Sequence, residues 1–496
     1  MSEAFVLADS QKHALDVIVS GRNVLLQGPA GTGKSVVVER AVCALHEARK
    51  QVAVVAPTAA AAFLVGGFTL HKLLSPMPQY QTIAQLNSGV DQWLRTQVAF
   101  DGAPNTKNQR RQQRHLAFTT MSAIILDETS MLRPDLLYVL DRVARTIRRR
   151  ETEPFGGIQI VLVGDLAQLP PVPLRSGPDG AARGPELFFF ERAHEDMYNA
   201  FETGNFTCIT LDRVFRQTDT VFLDILTNAR SAVPFDDWSG ECQAAFLERC
   251  VEPPADQVVT CMNVTNRDVD ESNRRHLEQL PGEEFAYEPK FFVSKAGITM
   301  RHHGRELTEE NRKKYKLSPS LANVMETALN ELNEARVRVG AVVMISHNVP
   351  DAPHLYRGLV GTVTYANELY VLVQFPHAVE RVEPIEVRQS DPDSTFADES
   401  QTKDHVLTRF MPLRLAWSVT VHRAQGATIN AARVTLEPEM MPGAAYTALS
   451  RLRSLNGLFI RLTSARSLET CFRQSVGMAR FERWVKKRSR SQAAAQ

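Results

Sequence analysis

One eight-residue stretch of the sequence has the residue types of a phosphate-binding loop, because it fits the pattern G-x-x-x-x-G-K-[ST] at every position. Its backbone N–H groups can wrap a triphosphate, and a following helix would direct its positive N-terminal end toward the phosphates. Lys34 would hold the β- and γ-phosphates, and the Ser35 hydroxyl would ligate Mg²⁺. The predicted nucleotide-binding residues of this loop are Gly28, Pro29, Ala30, Gly31, Thr32, Gly33, Lys34 and Ser35.

An acidic pair and an amide supply the other groups that hydrolysis of a triphosphate needs. Asp127 and Glu128 follow the apolar run at residues 123–126. Asp127 would hold hydrated Mg²⁺, and Glu128 would orient and deprotonate the attacking water. Gln168 follows the apolar run at residues 158–163, and its amide can bond a phosphate oxygen or that water. We therefore predict a nucleoside triphosphatase.

Alternating strands and helices would position these groups. Short apolar runs predict buried strands, and the amphipathic segments between them predict helices. Strands are expected at residues 23–27, 51–56, 123–126, 158–163 and 413–419, and helices at residues 11–19 and 35–49. This order predicts a parallel sheet with helices on its faces. Asp9 and Ser10 would cap the first helix, and the Gln11 amide beside them can read an adenine edge by paired hydrogen bonds.

The composition is that of a globular protein with no overall basic charge. Of the 496 residues, 44% are hydrophobic and 23% are charged, and the formal net charge is +1. Any nucleic-acid site must therefore be a local channel. The six cysteines lack metal-ligand spacing, which favours reduced thiols. Because no signal-peptide pattern and no apolar run of about 18 residues occurs, we expect an intracellular soluble protein, not secreted and without a membrane partner.

Two segments after the second predicted strand offer hydrogen-bond donors to a phosphodiester backbone. Thr58 lies in the first segment, and Thr69 and His71 lie in the second. An Ala-rich helix start is the alternative interpretation of the first segment. Residues 101–115 are polar and basic and are predicted to form a loop, either solvated or in contact with nucleic acid.

Motifs in both halves of the chain resemble those of superfamily 1 helicases. They are most similar to the 5′→3′ branch that contains the Pif (petite integration frequency) family, RecD and Dda. The resemblance runs from Gln11 to Leu458, with departures at Arg423-Ala424 (more often Lys-Ser) and Gly358-Leu359 (more often Asn-Gly). The segments are GPAGTGKS, APTAAAA with GGFTLH, LDETSM, GDLAQLPPV, LDRVFRQTD, VGAVVMISHN, PLRLAWSVTVHRAQGAT and GAAYTALSR.

The resemblance implies an α/β fold with two RecA-like parallel-sheet motor domains in tandem. Each motor domain would carry an insertion, which is small in the first lobe and an SH3-like β-barrel in the second. Runs of β-forming residues at 341–345, 361–365 and 369–375 agree with this barrel. We expect motor domain 1 at residues 1–71 and 121–200, with its insertion at 72–120. Motor domain 2 is expected at residues 201–280 and 406–480, with its insertion at 281–405, and is followed by a basic tail at 481–496.

The resemblance also assigns roles to residues in both halves and implies ATP and Mg²⁺ as cofactors. Arg216 and Arg451 would face the γ-phosphate, where cations that arrive as the lobes close stabilise the transition state. Gln425 and Gly426 would link DNA contacts to the nucleotide. The DNA-binding residues it implies are Pro57, Thr58, Phe68, Thr69, His71, Asn348, Thr420 and His422.

The expected function is that of an ATP-dependent DNA helicase that moves 5′→3′ on single-stranded DNA and unwinds duplex DNA. Contacts to the DNA backbone predict little sequence preference and strong salt dependence. The expected partners are single-stranded DNA, DNA forks and replication or repair proteins, and the family resemblance implies a monomeric motor. An RNA helicase and an ATP-gated single-strand translocase or remodeller remain open as alternatives. A small GTPase is disfavoured, because the sequence lacks an N-K-x-D motif.

Overall fold

The computed structural model describes most of the chain. The described residues are 7–57, 68–74, 86, 88, 90–91, 118–171, 175–176, 182–183, 187–192, 197–254, 257, 259–263, 266–295, 298–302, 313, 325, 332, 334–347, 349, 352, 354–355, 357–390, 405–438, 440–464 and 466–483. Thr58, Asn348, the predicted loop at 101–115 and the basic tail at 484–496 lie outside them.

A six-stranded parallel sheet forms the first lobe, in the order β3-β2-β4-β5-β1-β8. Its strands, numbered along the chain, are Val24–Gln27 (β1), Val52–Ala56 (β2), Phe68–Thr69 (β3), Ala123–Leu126 (β4), Gln159–Gly164 (β5) and Thr207–Thr210 (β8). β4 and β5 are buried at every residue, as expected of strands with helices on both faces. This sheet extends to Thr210, beyond the predicted domain boundary at residue 200.

Residues of these strands alternate between two cores. Leu26, Ile125 and Val163 pack with the helices that flank the phosphate loop. Leu25 and Leu162 pack on the other face, in a core rich in phenylalanine. Because successive strand residues point to opposite faces, a short apolar run can fill both cores. The carboxyl ends of β1, β4 and β5 meet at one edge, since Gln27 pairs with Gly164 and Leu126 with Leu162.

A four-stranded parallel sheet forms the second lobe, in the order β21-β9-β22-β23. Its strands are Thr260–Asn263 (β9), Ser418–Thr420 (β21), Ala432–Leu436 (β22) and Leu458–Leu462 (β23). Its core also takes in Ala167 and Leu169 of the first lobe, so the two lobes pack against each other. Both motor lobes are therefore α/β with parallel sheets, which confirms the predicted fold class.

Antiparallel sheets lie between the two parts of the second lobe. One is β12-β11-β19-β18, another is β17-β16-β15-β14-β20, and β10 pairs with β13. A further antiparallel pair, β6-β7, lies in the first lobe between β5 and β8. The strands are Arg175–Ser176 (β6), Ala182–Arg183 (β7), Phe285–Tyr287 (β10), Lys290–Lys295 (β11), Ile298–His302 (β12), Ala335–Val337 (β13), Val342–Ile345 (β14), Val360–Ala366 (β15), Val371–Gln374 (β16), Val379–Val382 (β17), Ile385–Ser390 (β18), His405–Phe410 (β19) and Leu413–Leu415 (β20). The five-stranded sheet contains the predicted runs, while the SH3-like barrel stays a prediction.

The helices connect these strands and frame the cleft between the lobes. They are Asp9–Val19 (α1), Lys34–Glu47 (α2), Leu70–Leu73 (α3), Pro134–Arg148 (α4), Ala200–Thr203 (α5), Thr220–Arg230 (α6), Gly240–Leu247 (α7), Asn266–Gln279 (α8), Val421–Ala424 (α9), Ala444–Leu449 (α10) and Ser467–Thr470 (α11). No helix of the described residues has the length and apolar character needed to cross a bilayer.

Two local predictions were wrong. The first helix begins at Asp9, with Ala8 at the cap position, so Asp9 and Ser10 lie inside it. The expected strand from Leu413 to Val419 is two strands, because the chain leaves the antiparallel sheet after Leu415 and enters the second parallel sheet at Ser418. Residues 413–419 are apolar throughout apart from Arg414 and Ser418, so their pattern did not indicate the change of sheet.

Candidate nucleotide and nucleic-acid site

The phosphate loop has the backbone that its glycines permit. Gly31 and Gly33 have φ of +82° and +75°, a region that favours glycine, and Gly33 is the residue before α2. Lys34 Nζ donates to the carbonyl oxygens of Gly28 and Pro29, at 2.9 and 3.0 Å. Burial lowers the pKa of Lys34, and the nearby carboxylates Asp165, Glu128 and Asp127 partly offset this shift. The loop and its lysine thus form a preshaped cation and N–H cradle for phosphate.

Gln11 is fixed to the phosphate loop by its side chain. It is 1% exposed, its Oε1 accepts from Ala8 N–H at 2.9 Å and its Nε2 donates to the Thr32 carbonyl at 3.0 Å. A Cβ on Gly33 would lie 2.5 Å from Gln11 Nε2, so the amide packs tightly on the loop. The predicted contact of Gln11 with adenine stays a prediction.

The acidic pair lies at the carboxyl end of β4. Burial and the neighbouring Glu128 carboxylate raise the pKa of Asp127 to about 7. The Glu128 N–H, which donates to Asp127 at 2.8 Å, and the Lys34 ammonium group partly offset this rise. Glu128 has φ of +53°, which is uncommon for a residue other than glycine. Ser35 is exposed at the start of α2. Oxygen ligands from Ser35 and Asp127 are of the kind that Mg²⁺ prefers.

Gln425 of the second lobe contacts the acidic pair directly. Its Nε2 donates to Glu128 Oε2 at 3.0 Å, and the side chain is buried. The exposed Gly426 follows with φ of +77°. Gln425 therefore contacts Glu128 across the cleft, and its link between DNA and the nucleotide stays a prediction.

Two arginines, one shortly after β8 and one shortly after α10, lie near the acidic pair and phosphate loop. Arg216 donates to the Ser450 carbonyl at 2.9 Å, and a Cβ on Gly31 would lie 2.6 Å from Arg216 Cβ. Burial and repulsion from Arg451 lower the pKa of Arg216 to about 9. Arg451 is 2% exposed, and burial lowers its pKa while Glu128 favours its charge. Guanidinium groups brought together in this way are costly to bury, which favours an anion between them.

Gln168 is buried where the lobes meet. Its Oε1 has no hydrogen-bond partner among the described residues. Gly443 of the second lobe packs on its backbone, since a Cβ on Gly443 would lie 2.4 Å from the Gln168 carbonyl oxygen. A buried amide oxygen without a partner costs free energy, and a water or a ligand donor would relieve that cost.

Comparisons with known proteins identify helicases that are similar to this chain in sequence and fold. A profile of the PIF1-like helicase family matches residues 6–220. The ATP-dependent DNA helicase PIF1 of Xenopus laevis is 27% identical over 475 residues, which cover 92% of this chain and 62% of that protein. The crystal structure of Bacteroides sp Pif1 in complex with ADP-AlF4 matches with a TM-score of 0.70 at 23% identity, over 98% of both chains. Bacteroides Pif1 bound to ssDNA matches with a TM-score of 0.58 at 24% identity, over 98% of both chains. Residues 6–220 therefore resemble the PIF1-like helicase family in sequence, and the chain shares its fold with the solved Pif1 structures.

The curated PIF1 relatives are longer than this chain. It spans less than two thirds of the length of the first three that it matches, from Xenopus laevis, Danio rerio and Homo sapiens. The solved structures named above share the fold over nearly their whole length.

Sequence reasoning missed three residues that join the two lobes. The buried Tyr446 hydroxyl accepts from Ala30 N–H at 3.1 Å and donates to Asp165 Oδ2 at 2.7 Å. Arg230 donates to Asp165 Oδ1 at 3.0 Å. Burial alone would raise the pKa of Asp165, but Arg230, Lys34 and Tyr446 hold it below its usual range. Tyr446 and Asp165 lie inside the quoted motif segments, and this position was the only sequence feature that pointed to them.

The residues predicted to bind DNA divide into two groups. Pro57 follows β2, Phe68 and Thr69 form β3, and His71 lies in α3. This first group therefore lies at the carboxyl edge of the first sheet, where the nucleotide site also lies. In the second lobe, the buried Thr420 ends β21 and the exposed His422 lies in α9. Thr58 and Asn348 lie outside the described residues. These assignments stay predictions.

Proposed function

We propose that this chain is an ATP-dependent DNA helicase that translocates 5′→3′ on single-stranded DNA and unwinds duplex DNA. The observation that carries the proposal is the hydrogen bond of 3.0 Å from Gln425 Nε2 to the Glu128 carboxylate. It connects a segment predicted to contact DNA with the residue predicted to activate water. A triphosphatase with such a connection can convert hydrolysis into movement of one lobe against the other.

The first lobe would bind ATP through the phosphate loop. Lys34 would exchange its contacts with the carbonyls of Gly28 and Pro29 for phosphate oxygens, which better compensate its buried charge. Ser35 and Asp127 would hold Mg²⁺, and the raised pKa of Asp127, about 7, fits a buried carboxylate that gains from a nearby cation. When bound, the ion would neutralise charge on the β- and γ-phosphates.

Glu128 would accept the proton of the attacking water. Its unusual backbone conformation and the hydrogen bond from Gln425 hold the carboxylate in the cleft. Arg216 and Arg451 would stabilise charge that develops on the γ-phosphate and its leaving group. Because both arginines follow the last strand of the first sheet, this stabilisation depends on how the lobes are packed.

The link to DNA would pass through α9. Thr420 and His422 precede Gln425, and Gln425 N–H donates to the His422 carbonyl at 3.2 Å. A phosphodiester contact at His422 would therefore reposition Gln425, and with it the Glu128 carboxylate. This coupling predicts that DNA accelerates hydrolysis.

The substrate assignment rests on similarity. The Xenopus laevis relative is named an ATP-dependent DNA helicase, and a Bacteroides Pif1 was solved bound to ssDNA. The 5′→3′ direction, the use of Mg²⁺ and DNA forks as partners follow from the family resemblance of the motifs. Together they favour a DNA motor over an RNA motor.

The test is ATP-dependent strand separation on four partial duplexes. Two are DNA with a 5′ or a 3′ single-stranded tail, and two are the RNA versions. We expect opening of the 5′-tailed DNA alone, with Glu128→Gln as the inactive control. Opening of RNA would favour an RNA helicase, and DNA-stimulated hydrolysis without opening would favour a translocase or remodeller.

A further inference from the structure

Three side chains that can bind a metal ion converge on the five-stranded antiparallel sheet. Nε2 of His354 lies 3.4 Å from Glu380 Oε1, and Nε2 of His377 lies 3.6 Å from the same oxygen. The three donor atoms all lie within 4.8 Å of one another. The two imidazoles therefore approach one carboxylate oxygen from separate segments of the chain.

Each donor is attached to a rigid part of the sheet. His377 lies in the β16–β17 turn, which the Phe375 N–H closes by donating to the Ala378 carbonyl at 2.8 Å. Its ring stacks on Phe375, which is buried, with ring planes 5° apart. Glu380 pairs with Val373 across the hairpin. His354 precedes the buried Leu355, which fixes its loop.

The distances suit ligands of one metal ion better than direct hydrogen bonds. Good hydrogen bonds between nitrogen and oxygen are roughly 2.7–3.2 Å long, shorter than both contacts. A tetrahedral Zn²⁺ with bonds of about 2.0–2.1 Å to nitrogen and oxygen separates its ligands by roughly 3.3 Å, close to both. One carboxylate also cannot neutralise two imidazolium rings, whose centroids are 5.9 Å apart. Two neutral imidazoles and a carboxylate form a common zinc-ligand set.

We propose that His354, His377 and Glu380 form a binding site for a transition-metal ion of the Zn²⁺ class. The side chains are 52%, 43% and 28% exposed, which leaves room for water as a further ligand. The site lies on the antiparallel sheet, away from Lys34 and Glu128, so it is distinct from the predicted Mg²⁺ site and does not depend on the proposed helicase function.

Metal binding would fasten the connection between β14 and β15. That connection contains His354 and returns to the second lobe at Gly358, where a Cβ would lie 2.7 Å from the Thr428 carbonyl oxygen. Thr428 follows Gln425 and Gly426 closely in sequence. A metal ion would thus hold the sheet to a loop that contacts the predicted DNA-coupling segment.

The test is a titration of the full chain with Zn²⁺ alone, after treatment with a chelator and desalting, by isothermal titration calorimetry. We expect one site that is lost or weakened in His354→Ala, His377→Ala and Glu380→Gln. Even a partner outside the coordination sphere is worth roughly 10–100-fold in metal affinity, so each ligand variant should lose at least about tenfold. His46→Ala, which removes an exposed histidine elsewhere, is the matched control and should bind as the parent does.

A second measurement separates this site from the six free cysteines. Co²⁺ bound by nitrogen and oxygen ligands lacks the thiolate-to-cobalt charge-transfer band. The parent protein should therefore show the visible absorption bands of bound Co²⁺ but no thiolate band. Circular dichroism of each variant checks that it folds. Unchanged Zn²⁺ binding in the folded His354→Ala and His377→Ala proteins, or a thiolate band that persists in them, would overturn the proposal.

Discussion

Glu128 combines a strained backbone with a contact that crosses the cleft. A residue with a side chain at φ of +53° stores on the order of 1–3 kcal/mol, which the surrounding structure must offset. This conformation places its carboxylate where it accepts a hydrogen bond from Gln425 of the second lobe. Strain of this kind at the end of a buried strand is typical of residues held for chemistry.

Replacement of Glu128 by Gln should leave ATP binding intact and stop turnover. The amide keeps the size of the side chain but cannot accept a proton from water, and a general base contributes roughly 10²–10⁴-fold to rate. Steady-state hydrolysis and equilibrium nucleotide binding check both halves of this expectation. Glu202→Gln, which changes an exposed carboxylate in the first lobe, is the control. Normal turnover in Glu128→Gln would remove Glu128 from the role of base.

Replacement of Arg451 by Ala should abolish most of the DNA-stimulated hydrolysis while ATP still binds. Arginines in this role contribute roughly 10³–10⁵-fold in related phosphoryl transfers. The buried guanidinium also donates to the Thr447 carbonyl at 3.0 Å, so thermal unfolding must be measured beside the rate. Arg461→Ala, at an exposed position of β23, should change neither. Full stimulation in a folded Arg451→Ala protein would limit Arg451 to a structural role.

At the scale of elements, the start of α10 sets how closely the lobes approach. Gly443 lies directly before this helix with φ of +75°, and the first lobe leaves no space for a side chain there. Ala at this position would meet the carbonyl oxygens of Gln168 and Ala167 at 2.4 and 2.7 Å. The contact between α10 and the end of β5 therefore requires glycine.

Gly443→Ala should weaken the packing of the lobes and slow hydrolysis. Strain and overpacking of this kind each cost roughly 1–3 kcal/mol. Hydrolysis rates and the thermal unfolding midpoint should both fall, because Arg451 and Gln425 lose their place in the cleft. Gly240→Ala is the matched control, since nothing lies within 4 Å of its added Cβ. Equal behaviour of the two variants would show that the close approach at Gly443 is unimportant.

The strands and helices that the residue patterns predicted in the first lobe begin and end within one or two residues of the observed ones. The predicted strands at 23–27 and 51–56 are Val24–Gln27 and Val52–Ala56, because buried parallel strands are short apolar runs with polar ends. The change of sheet between Leu415 and Ser418 could not be predicted, since no glycine or proline separates the two strands. Local pattern reports burial, whereas sheet membership depends on partners that are distant in sequence.

The motifs predicted which residues lie together at the candidate site, while the roles of these residues stay predictions. Asp127, Glu128, Arg216, Gln425 and Arg451 lie around one cleft, as the motifs implied. Tyr446 and Arg230 were missed because their roles depend on Asp165, which is remote from both in the sequence. Only the packed lobes bring these three groups together.

At the scale of the whole molecule, Asp165 joins the two lobes. It lies directly after β5 of the first lobe and accepts hydrogen bonds from Arg230 of α6 and Tyr446 of α10. Tyr446 in turn accepts from Ala30 of the phosphate loop, so this network connects the packing of the lobes to the nucleotide-binding loop. The network depends on the negative charge of one buried carboxylate.

The charge of Asp165 should therefore make the packed state sensitive to acid. Its pKa is held below the usual range in the folded protein, whereas the unfolded chain takes up the proton near pH 3.9. The contribution of Asp165 to the free energy of unfolding is complete above about pH 4 and is lost as the pH falls through its lowered native pKa. Asp165→Asn should be less stable at pH 7, by roughly 3–5 kcal/mol, because Arg230 loses its buried partner.

The same variant should lose less stability than the parent protein on acidification. Urea unfolding midpoints at pH 7, 5 and 3 measure this difference, and Asp237→Asn, at an exposed position, should follow the parent at each pH. Other carboxylates also titrate over this range, so only the difference between Asp165→Asn and the parent reports on Asp165. Equal acid sensitivity of the two proteins would mean that the charge of Asp165 does not hold the lobes together.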